Sequence, residues 1–197
     1  FPNIKNNVLD LYSENYKIVI FSNQAGIGLE KVKKSDFQLK VENIIKCLSI
    51  PVQVFAATNI SIYRKPAPGM WDVLCSKKND NIEIDLTSSF YVGDAAGRKK
   101  DWAPKKKSDI SKGDRLFAIN LGIKFFTPEE YFLKGPTIPY SMPTFDPSTI
   151  KLISHTPSLS TEQEMILMVG IQGSGKSHYC KTYFVPNGYV YVNKDTM

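Results

Sequence analysis

Residues 16–22 read YKIVIFS, a lysine-flanked entry followed by four apolar side chains in succession, Ile18 to Phe21, and a closing serine. A strand with one wet face would alternate polar and apolar residues. An unbroken apolar run of this length belongs to a strand covered on both faces, as in a parallel sheet. Working outward, VQVFAA (52–57), SFYVGD (89–94) and DRLFAINLG (114–122) read as further strands. Between them, KSDFQLKVENIIKCLSI (34–50) puts Phe37, Val41, Ile44, Ile45 and Leu48 on one helical face, with Ser35 as the expected N-cap. GMWDVLCSKK (69–78) reads as a second helix. TPEEYFL (127–133) reads as a last short one, with Thr127 capping and Pro128 in the first position. Strands and helices alternating over 8–134 predict an α/β fold, a parallel sheet with helices on both faces. Ligands of such sheets bind beyond the carboxyl ends of the strands.

After Lys134 the texture changes. Pro136, Pro139, Pro143, Pro147 and Pro157 punctuate a Ser/Thr-rich stretch without periodicity, which reads as a linker over 135–160. EMILMVG (164–170) then reads as a strand opening a second α/β unit over 161–197, with a helix from Lys176 and a strand at GYVYVN (188–193).

The loop of that second unit carries the strongest motif. Gly170, Gly173, Ser174, Gly175, Lys176 and Ser177 fit G-x-x-x-x-G-K-[ST] without a mismatch. Glycines let successive backbone N–H groups close on phosphate oxygens, the lysine reaches the outer phosphates, and the serine hydroxyl can bind Mg²⁺. The expectation is a nucleoside triphosphate site taking ATP and Mg²⁺. Asp195, just past the following strand, is equally well a proton acceptor for a hydroxyl or a helix N-cap.

In the first unit the ends of the strands share a chemical theme. Ser22 supplies a hydroxyl, Lys65 a positive charge and Asp94 a carboxylate able to hold a metal. Together they would hold a phosphoryl group and Mg²⁺. Singly, each has a plainer role as a turn cap, a solvated lysine or a turn aspartate. GIGLEK (26–31) lacks the third glycine of a dinucleotide fingerprint, and a tight turn is expected there instead.

The charge balance is +6, which favours an anionic partner, nucleic acid first. Lys31, Lys33 and Lys34 form one basic run; Arg98, Lys99 and Lys100 form a second, and Lys105, Lys106 and Lys107 a third. The last two are the expected nucleic-acid contacts, and Trp102 between them is either a stacking platform or a packing residue. Three dispersed cysteines without a C-x-x-C pair argue against zinc or a disulfide framework. No apolar run approaches the roughly 18 residues of a membrane span.

The order FSNQAGIG (21–28), RKPAPGMW (64–71), FYVGDAAGR (90–98) resembles motifs two to four of the haloacid-dehalogenase phosphatase superfamily. With GDRLFAINLG, TPEEYFL and a P-loop after a proline-rich linker, the chain is similar to bifunctional polynucleotide phosphatase/kinases along essentially its whole length. That resemblance implies a haloacid-dehalogenase-like phosphatase domain over 1–134 and the beginning of a kinase domain over 161–197. It implies that Ser22 binds the transferred phosphate, Lys65 stabilises an aspartyl-phosphate and Asp94 holds Mg²⁺. Lys176 and Ser177 would bind ATP and its metal, and Asp195 would be the kinase base. The implied substrates are DNA strand-break ends bearing 3′-phosphate or 5′-hydroxyl, in the nucleus, for a monomer with no membrane partner. The family's nucleophile motif D-x-D-x-T occurs nowhere in the sequence. It is expected upstream of Phe1 in a longer parent, so the 197-residue piece is expected to be inactive in both reactions. The alternatives are a small-molecule phosphatase of the same superfamily and a non-catalytic DNA-end or partner scaffold. The first leaves the P-loop unexplained, and residues 56–64, AATNISIYR, lack the Cys/His zinc loop that its members often carry.

Overall fold

The computed structural model describes residues 1, 3–146, 149–151 and 157–193. It divides into two compact units, Phe1–Thr144 and Phe145–Met197, so the boundary falls inside the proline-rich stretch.

In the first unit the elements run α1 (Ile4–Ser13), β1 (Val19–Asn23), α2 (Ala25–Gly28), α3 (Lys34–Leu48), β2 (Gln53–Ala57) and α4 (Gly69–Lys77). They continue with β3 (Phe90–Val92), α5 (Gly113–Leu121), β4 (Lys124–Phe126) and α6 (Pro128–Leu133). Both strand pairs among the described residues are parallel, in keeping with the apolar runs. Instead of one continuous sheet, however, there are two two-stranded sheets, β1–β2 and β3–β4. The carbonyl of Ile18 accepts from the N–H of Gln53, the first residue of β2. By the alternation of a strand, the carbonyl of Phe21 therefore faces the opposite edge, toward β3. There it accepts from the Lys65 ammonium and the Tyr91 hydroxyl rather than from a neighbouring strand.

Phe117 joins the two sheets from the helical side. It is fully buried, and its ring lies 5.5 Å from that of Phe21 in β1 and 5.3 Å from that of Tyr91 in β3. Ala57, Met70 and Leu74 complete this core, with Phe55, Trp71 and Leu121 packed around it.

The segment DRLFAINLG is a helix, not the fourth strand its apolar content suggests. Asp114, Arg115, Phe117 and Ala118 are its buried residues, a spacing that follows one helical face. Gly122, left-handed at φ 71°, ends it, and the fourth strand is the short KFF that follows. Helix α3 begins one residue before Ser35, with Lys33 at the cap position. The Ser35 hydroxyl donates to Asp36 instead of capping. Phe37, Val41, Ile45 and Leu48 turn inward, whereas Ile44 is exposed. AGIG forms a single helical turn, α2, where only a tight turn is expected. At α6 the expected cap is present as a capping box, Thr127 accepting from the Glu130 N–H while Glu130 accepts from the Thr127 N–H.

In the second unit, α7 (Lys176–Tyr179) starts where the motif requires and runs on as a π-helical turn, Cys180–Phe184. Neither EMILMVG nor the described GYVYVN is a strand. The apolar side chains of Met165, Leu167, Val169, Val190 and Val192 are exposed. Among the described residues no ladder pairs these segments, and hydrogen bonding to a neighbour is what makes an apolar run a strand.

Phe117→Ala removes the ring shared by both sheets and is expected to cost about 3–5 kcal/mol of unfolding free energy in a urea titration of the protein. Ile110→Ala, at a fully exposed side chain, serves as control and should change stability by less than about 0.5 kcal/mol.

Candidate phosphate-handling site

Of the residues expected at the strand ends, Lys65 makes the central polar contacts, and Ser22 and Asp94 are linked to it through their neighbours Phe21 and Ala95. The Lys65 side chain is almost fully buried, 9% exposed, and so is its ion-pair partner Asp114 at 8%. The ammonium donates to three acceptors, each at 2.7 Å: the Phe21 carbonyl, the Tyr91 hydroxyl and Asp114 Oδ1. An ammonium has three hydrogens, and all three are thus committed. The lysine backbone is held as well. Asn23 Nδ2 donates to the Lys65 carbonyl, and the Lys65 N–H donates to Asn23 Oδ1, both at 3.0 Å. Asn23 therefore fixes the peptide while Asp114 fixes the charge.

Asp114 does a second thing. Its Oδ2 accepts from the Ala95 N–H at 3.0 Å, one residue beyond Asp94. Gly93 makes room for it: a Cβ at that position would stand 2.6 Å from both Cβ and Oδ2 of Asp114. Asp94 itself is exposed. Burial, then the charge of Asp114 and its hydrogen bond, and last the charge of Asp94, push the Tyr91 phenol above its ordinary value. Its hydroxyl stays protonated, a neutral bridge between Lys65 and the Phe21 carbonyl. Ser22 follows Phe21 directly, and its hydroxyl accepts from Gln24 Nε2 at 2.7 Å.

The site thus offers a hydroxyl, a buried ammonium and an open carboxylate. Among the described residues no three His, Cys, Asp or Glu side chains cluster as a metal cage. Mg²⁺ commonly takes one or two carboxylates and keeps several waters, so a single exposed Asp94 suits that ion better than one requiring a full protein cage. Sequence reasoning missed Asp114, Tyr91 and Gly93 as members of the site. The signal for Asp114 was the polar residue on the buried face of a helical segment read as a strand.

Arg98, expected to meet nucleic acid, turns inward. Its side chain is 3% exposed and pairs with Asp109 at 2.9 Å and Glu129 at 2.7 Å. The guanidinium also stacks on Trp102, 3.7 Å from the ring centroid, which covers one indole face and gives Trp102 a packing role. Asp109 Oδ2 also accepts from the Arg98 N–H, and Tyr140 bridges to Arg98 from the proline-rich stretch. Lys99, Lys100, Lys105, Lys106 and Lys107, by contrast, are all exposed. One buried cation holds the loop while its lysines face solvent.

In the second unit, Gly173 and Gly175 adopt φ of 77° and 87°, which an L side chain resists. A Cβ at Gly170 would meet Ser174 Oγ at 2.8 Å. The Lys176 ammonium reaches across the loop to the carbonyls of Gly170 and Ile171, each at 2.7 Å. Ser177 Oγ lies 3.0 Å from the Tyr191 hydroxyl. Asp195, the proposed base, lies outside the described residues.

The described chain is thus of α/β class, with parallel strand pairs and a buried lysine at the strand ends of the first unit and a glycine-rich loop in the second. Residues 1–132 match the family described as Polynucleotide kinase 3 phosphatase, and the chain belongs to that family. It is 37% identical over 202 residues to the bifunctional polynucleotide phosphatase/kinase of Schizosaccharomyces pombe, a match covering 100% of this chain and 47% of that protein. It is 39% identical over 153 residues to polynucleotide 3′-phosphatase ZDP of Arabidopsis thaliana, covering 71% of this chain and 21% of that protein. The chain spans about half the length, or less, of these curated relatives.

Arg98→Ala would strand Asp109 in the interior and is expected to cost about 3–5 kcal/mol in chemical denaturation. Lys99→Ala and Lys100→Ala should each stay within about 0.5 kcal/mol of the parent.

Proposed function

We propose that the full-length protein to which this chain belongs removes 3′-phosphate from polynucleotide ends and phosphorylates 5′-hydroxyl ends with ATP. Applied to DNA strand breaks in the nucleus, the two reactions leave the 3′-hydroxyl and 5′-phosphate that sealing and extension require. The observation that carries the first half is the buried Lys65 at the strand ends, beside the loop of exposed Asp94, within the family-matched residues. The second half is supported by the complete P-loop motif, with Gly173 and Gly175 in the left-handed region.

In this reading the first unit is a phosphatase of haloacid-dehalogenase type. Its Lys65 ammonium neutralises phosphoryl oxygens in a site of low dielectric, where a fixed charge counts for more than in water. Ser22 donates its hydroxyl to the same phosphoryl group and fixes its orientation. Asp94 would hold Mg²⁺, which supplies Lewis-acid neutralisation of phosphate charge. No D-x-D-x-T triplet occurs in the sequence, so the attacking carboxylate is no part of what this chain's own residues do. In the second unit the backbone of 170–175 cradles the ATP phosphates. Lys176 swings from its own loop carbonyls to the outer phosphates, and Ser177 turns toward the nucleotide's Mg²⁺. Asp195 takes the proton of the acceptor hydroxyl. The exposed lysines 99, 100 and 105–107 track the polynucleotide backbone.

Oligonucleotides bearing 3′-phosphate or 5′-hydroxyl ends separate the two reactions in the full-length protein. Asp94→Asn should lower phosphate removal by at least about 100-fold and leave phosphate addition intact; Lys176→Ala should do the reverse. Survival of both reactions in both variants would sink the reading. Replacing Lys105, Lys106 and Lys107 together by alanine should weaken oligonucleotide binding irrespective of sequence. It should also flatten the salt dependence, by about one unit of slope for each lost phosphate contact.

A further inference from the structure

Resting on the phosphatase reading of Lys65, we propose that Asp114 is the positioning residue of this site. It aims the lysine ammonium and ties it to the loop that carries Asp94. Three observations meet on one carboxylate. Oδ1 pairs with Lys65 Nζ at 2.7 Å, with both side chains less than a tenth exposed. Oδ2 takes the Ala95 N–H at 3.0 Å. Gly93 lets the carboxylate rest against the backbone just before Asp94, where any Cβ would collide with it.

The carboxylate thus has separate partners on its two oxygens, and these partners belong to different parts of the chain. Lys65 comes from the loop between β2 and α4, and Ala95 from the loop after β3. Asp114 stands in the first turn of α5, a helix fixed in the core by Phe117. A rigid element is the best support for groups whose geometry must hold within a fraction of an ångström. Tyr91 and Phe21 also accept from Lys65, but both are neutral. All three bonds are charge-assisted by the lysine; Asp114 alone adds attraction between two full charges, which counts for most where both side chains are buried, and so decides where the ammonium sits. Asp114 is turned away from solvent, and it acts on the reaction through Lys65 and the Asp94 loop rather than by touching substrate.

The experiment is a double-mutant cycle on 3′-phosphate removal in the full-length protein, comparing the parent with Lys65→Met, Asp114→Asn and the variant carrying both. Lys65→Met is expected to lower kcat at least about 100-fold. Asp114→Asn should lower kcat by a comparable factor with KM within about threefold, because orientation rather than binding is lost. The double variant should be no slower than Lys65→Met alone, since the asparagine oxygen still accepts from the Ala95 N–H and no ammonium is left to aim. A double variant slower by the product of the two single losses would overturn the proposal, as would an Asp114→Asn variant with unchanged kcat. If Lys65→Met itself leaves kcat unchanged, the phosphatase role of Lys65 fails instead. Should Asp114→Asn fold poorly with Lys65 left unpaired, the double variant, which strands neither charge, is compared with Lys65→Met, and a double variant slower than Lys65→Met overturns the proposal. Amide hydrogen exchange supplies a readout independent of turnover. The Ala95 N–H should exchange faster in Asp114→Ala, while amides of the β1–β2 ladder keep their protection. Unchanged exchange at Ala95 would remove the link to the Asp94 loop.

Discussion

The first unit depends on a single buried ammonium. Lys65 reaches the carbonyl edge of β1, the tyrosine of β3 and the carboxylate of α5 at once, so one charge joins elements that no strand ladder connects. Burying a charge is costly unless it is paired and fully hydrogen-bonded, and here the pairing is complete. The same arrangement explains why β1 and β3 need not pair as neighbouring strands. Phe117 fills the apolar side of the space between them, and Lys65 with Tyr91 fills the polar side.

A second buried cation organises the long loop between β3 and α5. Arg98 collects Asp109 from the far end of that loop and Glu129 from α6, and its flat guanidinium stacks on Trp102, a geometry that lysine could not reproduce. Loops of this length without regular structure are uncommon unless something ties them internally. The division of labour is clear in the charge pattern: the arginine of the RKK run is structural, and the lysines around it remain exposed.

Much of the fold could be read in the sequence, for identifiable reasons. β1 and β2 were legible because Ile18–Phe21 is continuously apolar and VQVFAA is broken only by Gln53. α6 was legible because Thr127, Pro128 and Glu130 together spell a cap. The segment 114–122 was misread because Leu116, Phe117, Ala118, Ile119 and Leu121 are apolar enough for either state. Only the burial of Asp114 and Arg115 beside Phe117 reveals the helical period. The split sheet was not legible, since apolar runs report burial but not which edges pair. At the site, Ser22, Lys65 and Asp94 stood out by residue type at the strand ends. Asp114 did not, because its role comes from a contact 49 residues away in sequence. Arg98 carried the wrong expectation because a run of like charges does not reveal which member finds buried partners.

The saturation of Lys65 has one further consequence. No N–H of its ammonium points to open space, so an incoming oxygen must displace an acceptor already in place. Exchanging the neutral carbonyl of Phe21 for another neutral oxygen gains nothing, because a bond charge-assisted only by the lysine replaces another of the same kind. An anionic oxygen adds attraction between opposite charges, which a buried site strengthens, and can drive the exchange. The place beside the lysine therefore discriminates by charge before shape enters: a neutral oxygen such as that of water is a poor competitor for it, and an anionic oxygen is a strong one.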